Sequence, residues 1–531
     1  MPSERLSSAH RCRRFGPSAA ALLAIGAPAA LGQLVPEWVA THGSGTVFTP
    51  VAFAVDAAGA SFVAATFEPT AGDSDIAMIK YDSLGAIEWS RTYTGPVGQD
   101  LATNVVIAAD GASVFLVGRS VVQNHNSDFL VVKYDTAGNR LWERFFNGPG
   151  SSTDDPRDAA ATPDGGVVVT GGVWNGGERL DYATVKYTGD GSLAWAAYHA
   201  GDGRFLFNDD SGDDVAVTPQ GDVVVSGFST PAIGGSDVLT FKYDGQTGAV
   251  LWSATYSTSA NENPRDVEIA PDGDVVVFGV DPFGIDRQWF VVRYDGVTGA
   301  ERWRSLRDPG FDETPAAVIT DSAGHVYVTG ATDPDGDDGN FNQDLVVLSF
   351  DGGSGSLRWE SHFGESGINR ADFGFDLIED DGVIYVAGSS RSSVVVDSTL
   401  DADAIILKYA SADGTLLDIG AVDSTENGGP IRTDSFRSIH RTSTGLRVAG
   451  SSTGDVGVFP RLLLAEFALA ASPHPGDVDG DGDVDLTDLA SLLAAFGSCS
   501  GEPAYAAAAD FDGSACVDLG DLAILLANFG T

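Results

Sequence analysis

The residues best suited to chemistry lie near the C-terminus. Between Asp477 and Asp488 the chain reads DVDGDGDVDLTD, with Asp477, Asp479, Asp481, Asp485 and Asp488 at loop positions 1, 3, 5, 9 and 12. Gly482 stands at position 6 and Asp483 at position 7. Calcium takes six to eight oxygen ligands from a loop that turns sharply at its sixth residue, and this spacing supplies both. A second stretch, DFDGSACVDLGD, keeps Asp510, Asp512, Asp518 and Asp521 but puts Ser514 and Ala515 where the first has Asp481 and Gly482. A neutral fifth ligand and a lost hinge glycine both weaken binding. The second loop therefore reads as a weakened calcium site or as a degenerate structural loop. Each loop leads into an apolar helix, LASLLAAFG and LAILLANFG. Cys499 and Cys516 enclose the segment between them, which suggests one local disulfide in an oxidising compartment, with buried free thiols as the alternative.

Other chemical signals are thin. The eight histidines are scattered, with no pair at the i, i+4 spacing that sets two zinc ligands on one helix face. The string GSSTG at 450–454 matches a nucleophile elbow, but it follows a strand and precedes no helix. The acidic loop 333–344 has Asp338 where a calcium loop needs glycine, so it reads as a solvated loop. With 75 acidic residues, spacing alone picks out no catalytic carboxylate pair.

The remaining sequence must position these groups. A formal charge of −45 excludes a phosphate-binding surface, and hence nucleic acid. Residues 1–32 read as a secretory signal: Arg5, Arg11, Arg13 and Arg14, then an apolar run too short to cross a bilayer, then small residues near Gly32. The mature chain, expected to be monomeric and without a transmembrane segment, would begin there.

From about residue 37 to 470 a unit of roughly 50–58 residues repeats, a period within the range of propellers. Its second strand recurs as VFLVG, VVVTG, VYVTG and LRVAG, and its third as VVKYD, TVKY, VVRYD and LLAEF, each eight times over. Turn segments such as DAAG (56–59) join the first two strands. A fourth strand carries Trp89, Trp142, Trp195, Trp252, Trp303 and Trp359, with Leu417 in the seventh place. The last unit has three strands only, whereas Trp38 precedes the first unit. The N-terminal strand is therefore expected to complete the last blade and close the ring. The Trp series reads as blade packing. The fold class is all-β: an eight-bladed β-propeller closed by an N-terminal strand (33–471), a linker (472–476), and a small helical domain (477–531).

The repeated strands resemble the SBBP-type β-propeller repeat over some four-fifths of the chain. The paired loops and LLxxFG helices resemble a dockerin domain. That second resemblance implies two calcium sites, made by Asp477, Asp479, Asp481, Asp485 and Asp488 and by Asp510, Asp512, Asp518 and Asp521. It also implies a cohesin-like or cell-envelope protein as partner. The combined expectation is a secreted or cell-surface binding scaffold tethered through calcium. The rival is a polysaccharide-acting hydrolase or lyase with its site on the propeller face, built from the loops 202–213, 333–344 and 391–402.

Overall fold

A computed structural model of the 531-residue chain describes residues 13–14, 32–42 and 48–469, apart from short segments at 71, 124–125, 151, 177–179, 202–208, 232–234, 259–260, 282–286, 334–342, 365–370, 392–401, 424–431 and 455–459. In the tail it describes 478, 484, 486–499, 505–506, 509–511, 514, 516–518 and the stretch to 529. The chain divides into two compact units, Met1–Phe467 and Ala468–Thr531.

The first unit is the expected eight-bladed propeller. Blades 1 to 8 cover 48–93, 100–146, 155–199, 211–256, 263–307, 311–363, 373–422 and 432–468, each an antiparallel sheet. Innermost strands touch their neighbours in order round the ring, and blade 8 meets blade 1. The second strands are buried almost end to end, as in Val167–Trp174 and Val326–Asp333, because each is covered by blades on both sides. Apolar clusters bridge successive blades, joining Val224 and Val238 of blade 4 to Val275 and Phe290 of blade 5.

The closure is as the sequence predicts. Strand Pro36–His42 pairs antiparallel with Arg461–Ala468 and becomes the fourth strand of blade 8. A two-residue strand, Arg13–Arg14, lies outside it. Trp38 then packs with Val63 and Ile79 of blade 1. Gly32–Leu34, further upstream, pairs in parallel with Leu416–Val422, the outer strand of blade 7.

One assignment needs correction. A β-bulge beside Tyr409 pairs Asp418, not Leu417, with Lys408, in the register where Lys186 faces Trp195 in blade 3. Leu417 is the bulge residue. The reason for the missing Trp is geometric. Elsewhere the Trp indole lies on the glycine of the following blade's last hairpin, Trp142 on Gly191 and Trp195 on Gly248. Its Nε1 donates to a carbonyl of that turn, from Trp142 to Gly189 O at 3.1 Å and from Trp359 to Ser411 O at 2.8 Å. Blade 8 takes its fourth strand from the N-terminus and has no such hairpin. Blade 7 accordingly has no turn to hook, and Gly32–Leu34 covers its outer edge instead.

Candidate sites in the central channel and the C-terminal loops

Each innermost strand carries a one-residue bulge at the same place, and the residue after it faces the channel. In blades 2, 3, 4, 5 and 7 that residue is Asn104, Asp158, Asp214, Asp266 and Asp376. The bulge frees a backbone N–H, and the carboxylate of one blade accepts it from the next. Val215 N donates to Asp158 Oδ2 at 3.0 Å, Val267 N to Asp214 at 2.7 Å, and Val318 N to Asp266 at 2.7 Å. Ile439 N likewise donates to Asp376 at 2.9 Å. Asn104 Nδ2 reaches Asp158 Oδ1 at 2.5 Å.

The carboxyls are also bonded to each other, Asp158 to Asp214 and Asp214 to Asp266. Two carboxylates bond only when one keeps a proton. Burial first, and the neighbouring carboxylates second, hold Asp214 and Asp266 well above the usual carboxylate range. Burial pushes Asp376, Asp213 and Glu268 up to about 7. It pushes His440, which packs on Phe53 with ring centroids 5.2 Å apart, down to about 4. The channel is thus lined by carboxyls that titrate near neutrality.

A second acidic series is structural. Asp100, Asp154, Asp210, Glu262, Glu313, Asp372 and Asp434 enter successive blades, each at most 2% exposed. Asp154 accepts from Gly148 N at 2.7 Å and Trp174 N at 2.8 Å, tying two loops together. Asp210 does the same with Gly201 N and Thr230 N, at 2.6 and 2.7 Å. Both series recur at the repeat spacing, which is the signal that would have found them in the sequence.

In the tail, Asp477, Asp479, Asp481, Asp483, Asp485 and Asp512 lie outside the described residues. Those described close the two loops alike. Asp488 Oδ1 accepts from Val478 N at 2.7 Å, and Asp521 Oδ1 from Phe511 N at 2.6 Å, in each case loop position 12 back to position 2. Asp518 caps the helix Leu519–Ala527, accepting from Gly520 N at 2.7 Å, while Asp521 Oδ2 accepts from Asp518 N at 2.8 Å. Ser514, which is exposed, donates to Cys516 O at 3.0 Å. Asp510 Oδ2 accepts from Tyr505 OH at 2.8 Å, but its Oδ1 is buried with no hydrogen-bond partner among the described residues. Cys499 and Cys516 are joined by a disulfide, and Val484, Leu492, Val517 and Leu525 form the small core between the helices.

The other sequence signals fall as follows. GSSTG lies inside strand Gly445–Gly454, with no elbow. Most of the loops 202–213, 333–344 and 391–402 is outside the described residues. No helix among the described residues is long and apolar enough to cross a membrane.

These features define the class, an eight-bladed β-propeller followed by a small two-helix unit. No protein-family model and no curated protein matches the sequence. Among solved structures, the chain is similar to the β-propeller domain of Cps50 (Swd1) from Myceliophteria thermophila, at 12% identity over 66% of this chain and 96% of that one, TM-score 0.37. It is also similar to the polysaccharide lyase Uly1, at 11% identity over 67% and 88%, TM-score 0.40. A third is the β-propeller domain of the Trilobed protease from Pyrococcus furiosus, which has an open velcro topology, at 11% identity over 72% and 100%, TM-score 0.38.

Proposed function

We propose that the protein is a secreted binding scaffold, an SBBP-type propeller tethered to a cohesin-like or envelope protein by a calcium-dependent, dockerin-like tail. The observation that carries this reading is a duplicated apolar surface. The tail repeats at a constant offset, so that Leu486, Leu493 and Phe496 of the first half correspond to Leu519, Leu526 and Phe529 of the second. All six are solvent-exposed, Leu486 at 71% and Leu519 at 72%, while their neighbours Leu492 and Leu525 are fully buried. So small a unit gains nothing by exposing two matched apolar triplets unless a partner covers one of them.

The donor set suits calcium. Asp510 Oδ1 is a buried carboxylate oxygen at the first ligand position of its loop, unpartnered among the described residues, and a hard cation satisfies such an oxygen. Asp477, Asp479, Asp481, Asp483, Asp485 and Asp488 would hold one ion, and Asp510, Asp512, Ser514, Asp518 and Asp521 the other. Bound calcium supplies positive charge that lets these carboxylates converge. The helices then pack around Leu492 and Leu525 and present the triplets.

The test uses the full chain on an immobilised envelope fraction, in millimolar calcium and then in chelator. Capture is expected only with calcium, and it should be lost in the Leu493→Asp/Leu526→Asp variant while the propeller melts normally. Capture that survives both chelator and variant would refute the tether. One observation favours the rival reading of a polysaccharide hydrolase or lyase: the channel carboxyls that stay protonated near pH 7 suit acid–base work. The recurrence of Asp158, Asp214, Asp266 and Asp376 in four blades, each capping the next blade's amide, favours a structural role. Cleavage of a polysaccharide by the wild-type protein, lost in Asp376→Asn, would reverse that judgement.

A further inference from the structure

The bulge residues themselves form a ring one step along the channel from the carboxyls, and its chemistry runs against the rest of the molecule. The chain has 30 basic residues against 75 acidic ones, yet three of the eight bulge positions are arginine: Arg157, Arg265 and Arg437. All three are exposed to the channel. Arg157 pairs with Asp155 at 3.1 Å. Arg265 and Arg437 have no ion-pair partner among the described residues, and partial burial, then the charge of Arg265, lowers the proton affinity of Arg437. The Arg437 guanidinium lies 4.5 Å from the ring of Phe375, the bulge residue of blade 7, and Phe375 is stacked on Phe373. Asp213, the bulge residue of blade 4, stands within the field of Arg157 and Arg265.

Neutralising the neighbouring carboxyls accounts for only part of this charge. Asp158 and Asp214 are satisfied by backbone amides and by a neighbouring carboxyl. Arg265 holds down the proton affinity of Asp266 and, with Arg157, that of Asp213, but among the described residues no ion pair joins Arg265 or Arg437 to a carboxylate. Beside Arg437 the channel wall opens into a cavity of about 290 Å³, lined by Val51, Ala52, Thr103 and Ser438. That volume is near the lower end for small-molecule sites, and it offers two hydroxyls and an apolar floor next to unpaired positive charge.

We propose that this ring is a binding site for an oxyanion-bearing sugar, a hexuronate or a sugar sulfate. Arg265 and Arg437 hold the anionic group, and the Thr103 and Ser438 hydroxyls and the Val51–Ala52 wall receive the ring. A guanidinium matches the planar fork of a carboxylate and the oxygens of a sulfate alike. The site goes beyond the tethering role and is independent of the tail, so either can fail alone.

The experiment is calorimetric titration of the full chain at pH 6 and low ionic strength with three ligands of equal size: a trigalacturonate, a sulfated trisaccharide and a neutral trisaccharide. A charged sugar should bind, weakening as salt screens the contact, and the neutral one should not. Whichever charged sugar binds more tightly identifies the source of the anion. Arg265→Gln/Arg437→Gln should weaken that binding at least about tenfold with the melting temperature unchanged. Arg304→Gln, which removes an outer-strand arginine paired with Glu301, should leave it intact. If the double variant does not fold, Asp213→Asn serves instead: removing the competing carboxylate should tighten binding above pH 7. Equal binding of neutral and charged sugars, retention in the double variant, no tightening in Asp213→Asn, or a Kd weaker than about 1 mM for both charged sugars would overturn the proposal.

Discussion

The seam between blades 3 and 4 and the seam between blades 8 and 1 solve one problem with different parts. At the ordinary seam, Trp195 hooks the next blade's turn, and Lys186 Nζ donates to Gly245 O at 2.7 Å while pairing with Asp164 at 2.6 Å. Asp164 is 38% exposed, so that pair is half solvated. At the closure Trp38 plays the same part on Gly85, but the charges are reversed and buried. Glu466 takes the place of the third-strand lysine and bonds Arg447, whose Nη1 and Nη2 donate to Ser61 Oγ at 2.6 Å and Ser83 O at 2.9 Å across the seam. Arg447 and Glu466 are 1% and 2% exposed. In an ordinary blade a hairpin joins the third strand to the fourth. In blade 8 no hairpin joins Arg461–Ala468 to Pro36–His42, and a desolvated, fully bonded ion pair supplies the specificity that the hairpin supplies elsewhere.

The largest expected effect breaks this comparison at its centre. Arg447→Ala leaves the buried Glu466 carboxylate with no cation and only the Thr442 and Thr444 hydroxyls to bond it, and should cost about 3–5 kcal/mol. Lys186→Ala leaves Asp164 free to turn to water and should cost about 1 kcal/mol or less. Denaturant midpoints of the two variants decide it. Equal shifts would mean that the closure is an ordinary seam.

The same contrast explains what was legible in the sequence. The eight blades could be read because a two-faced buried strand leaves an uninterrupted apolar signature, and each repetition of it confirms the last. The role of Trp38 could be read because an orphan Trp strand and an incomplete last unit answer each other. The seventh outer position could not: a bulge moves the register by one residue, and Asp418, not Leu417, occupies it. The channel residues were missed for a related reason. Asp158, Asp214, Asp266 and Asp376 stand at a constant place in the repeat, but the bulge ahead of them breaks the strand alternation that would mark them as channel-facing. The arginines of the same ring hide among residues that vary from blade to blade, and only the register shows Arg265 and Arg437 at the same place in their blades.

A middling effect sharpens the comparison through glycine. A Cβ at Gly85 would come within 2.5 Å of the Trp38 ring, and one at Gly248 within 2.7 Å of Trp195, with φ of +79° and +71°. Either alanine should cost about 1–3 kcal/mol through overpacking and a disfavoured backbone. The way the strain is relieved should differ. Trp195 sits in a strand fixed by hairpins, so Gly248→Ala should lower the melting temperature of the whole propeller. Trp38 sits in a strand joined to blade 8 by hydrogen bonds and packing but by no hairpin, so Gly85→Ala should instead loosen residues 36–42. Limited proteolysis followed by mass analysis would find a new N-terminal cut in Gly85→Ala and none in Gly248→Ala. An identical digestion pattern would show that the closing strand is held as firmly as any other.

The smallest effect concerns pH and tests whether the channel carboxyls belong with the ordinary seams. Asp376 caps Ile439 of blade 8 and is pushed up to about 7 by burial, whereas an unfolded aspartate titrates near 4. The native state therefore holds a proton that the unfolded state gives up. This group's contribution to stability is complete below about pH 4, declines as the pH climbs, and is fully lost above about 7. Because the side chain is partly open to the channel, the decline should be on the order of 1 kcal/mol. Asp376→Asn keeps an acceptor oxygen for the Ile439 amide and removes the titration. Melting curves from pH 4.5 to 8 should show the wild type losing stability and the variant changing less across the same range. Parallel curves would mean that Asp376 is ionised throughout, and that the channel tolerates its full negative charge.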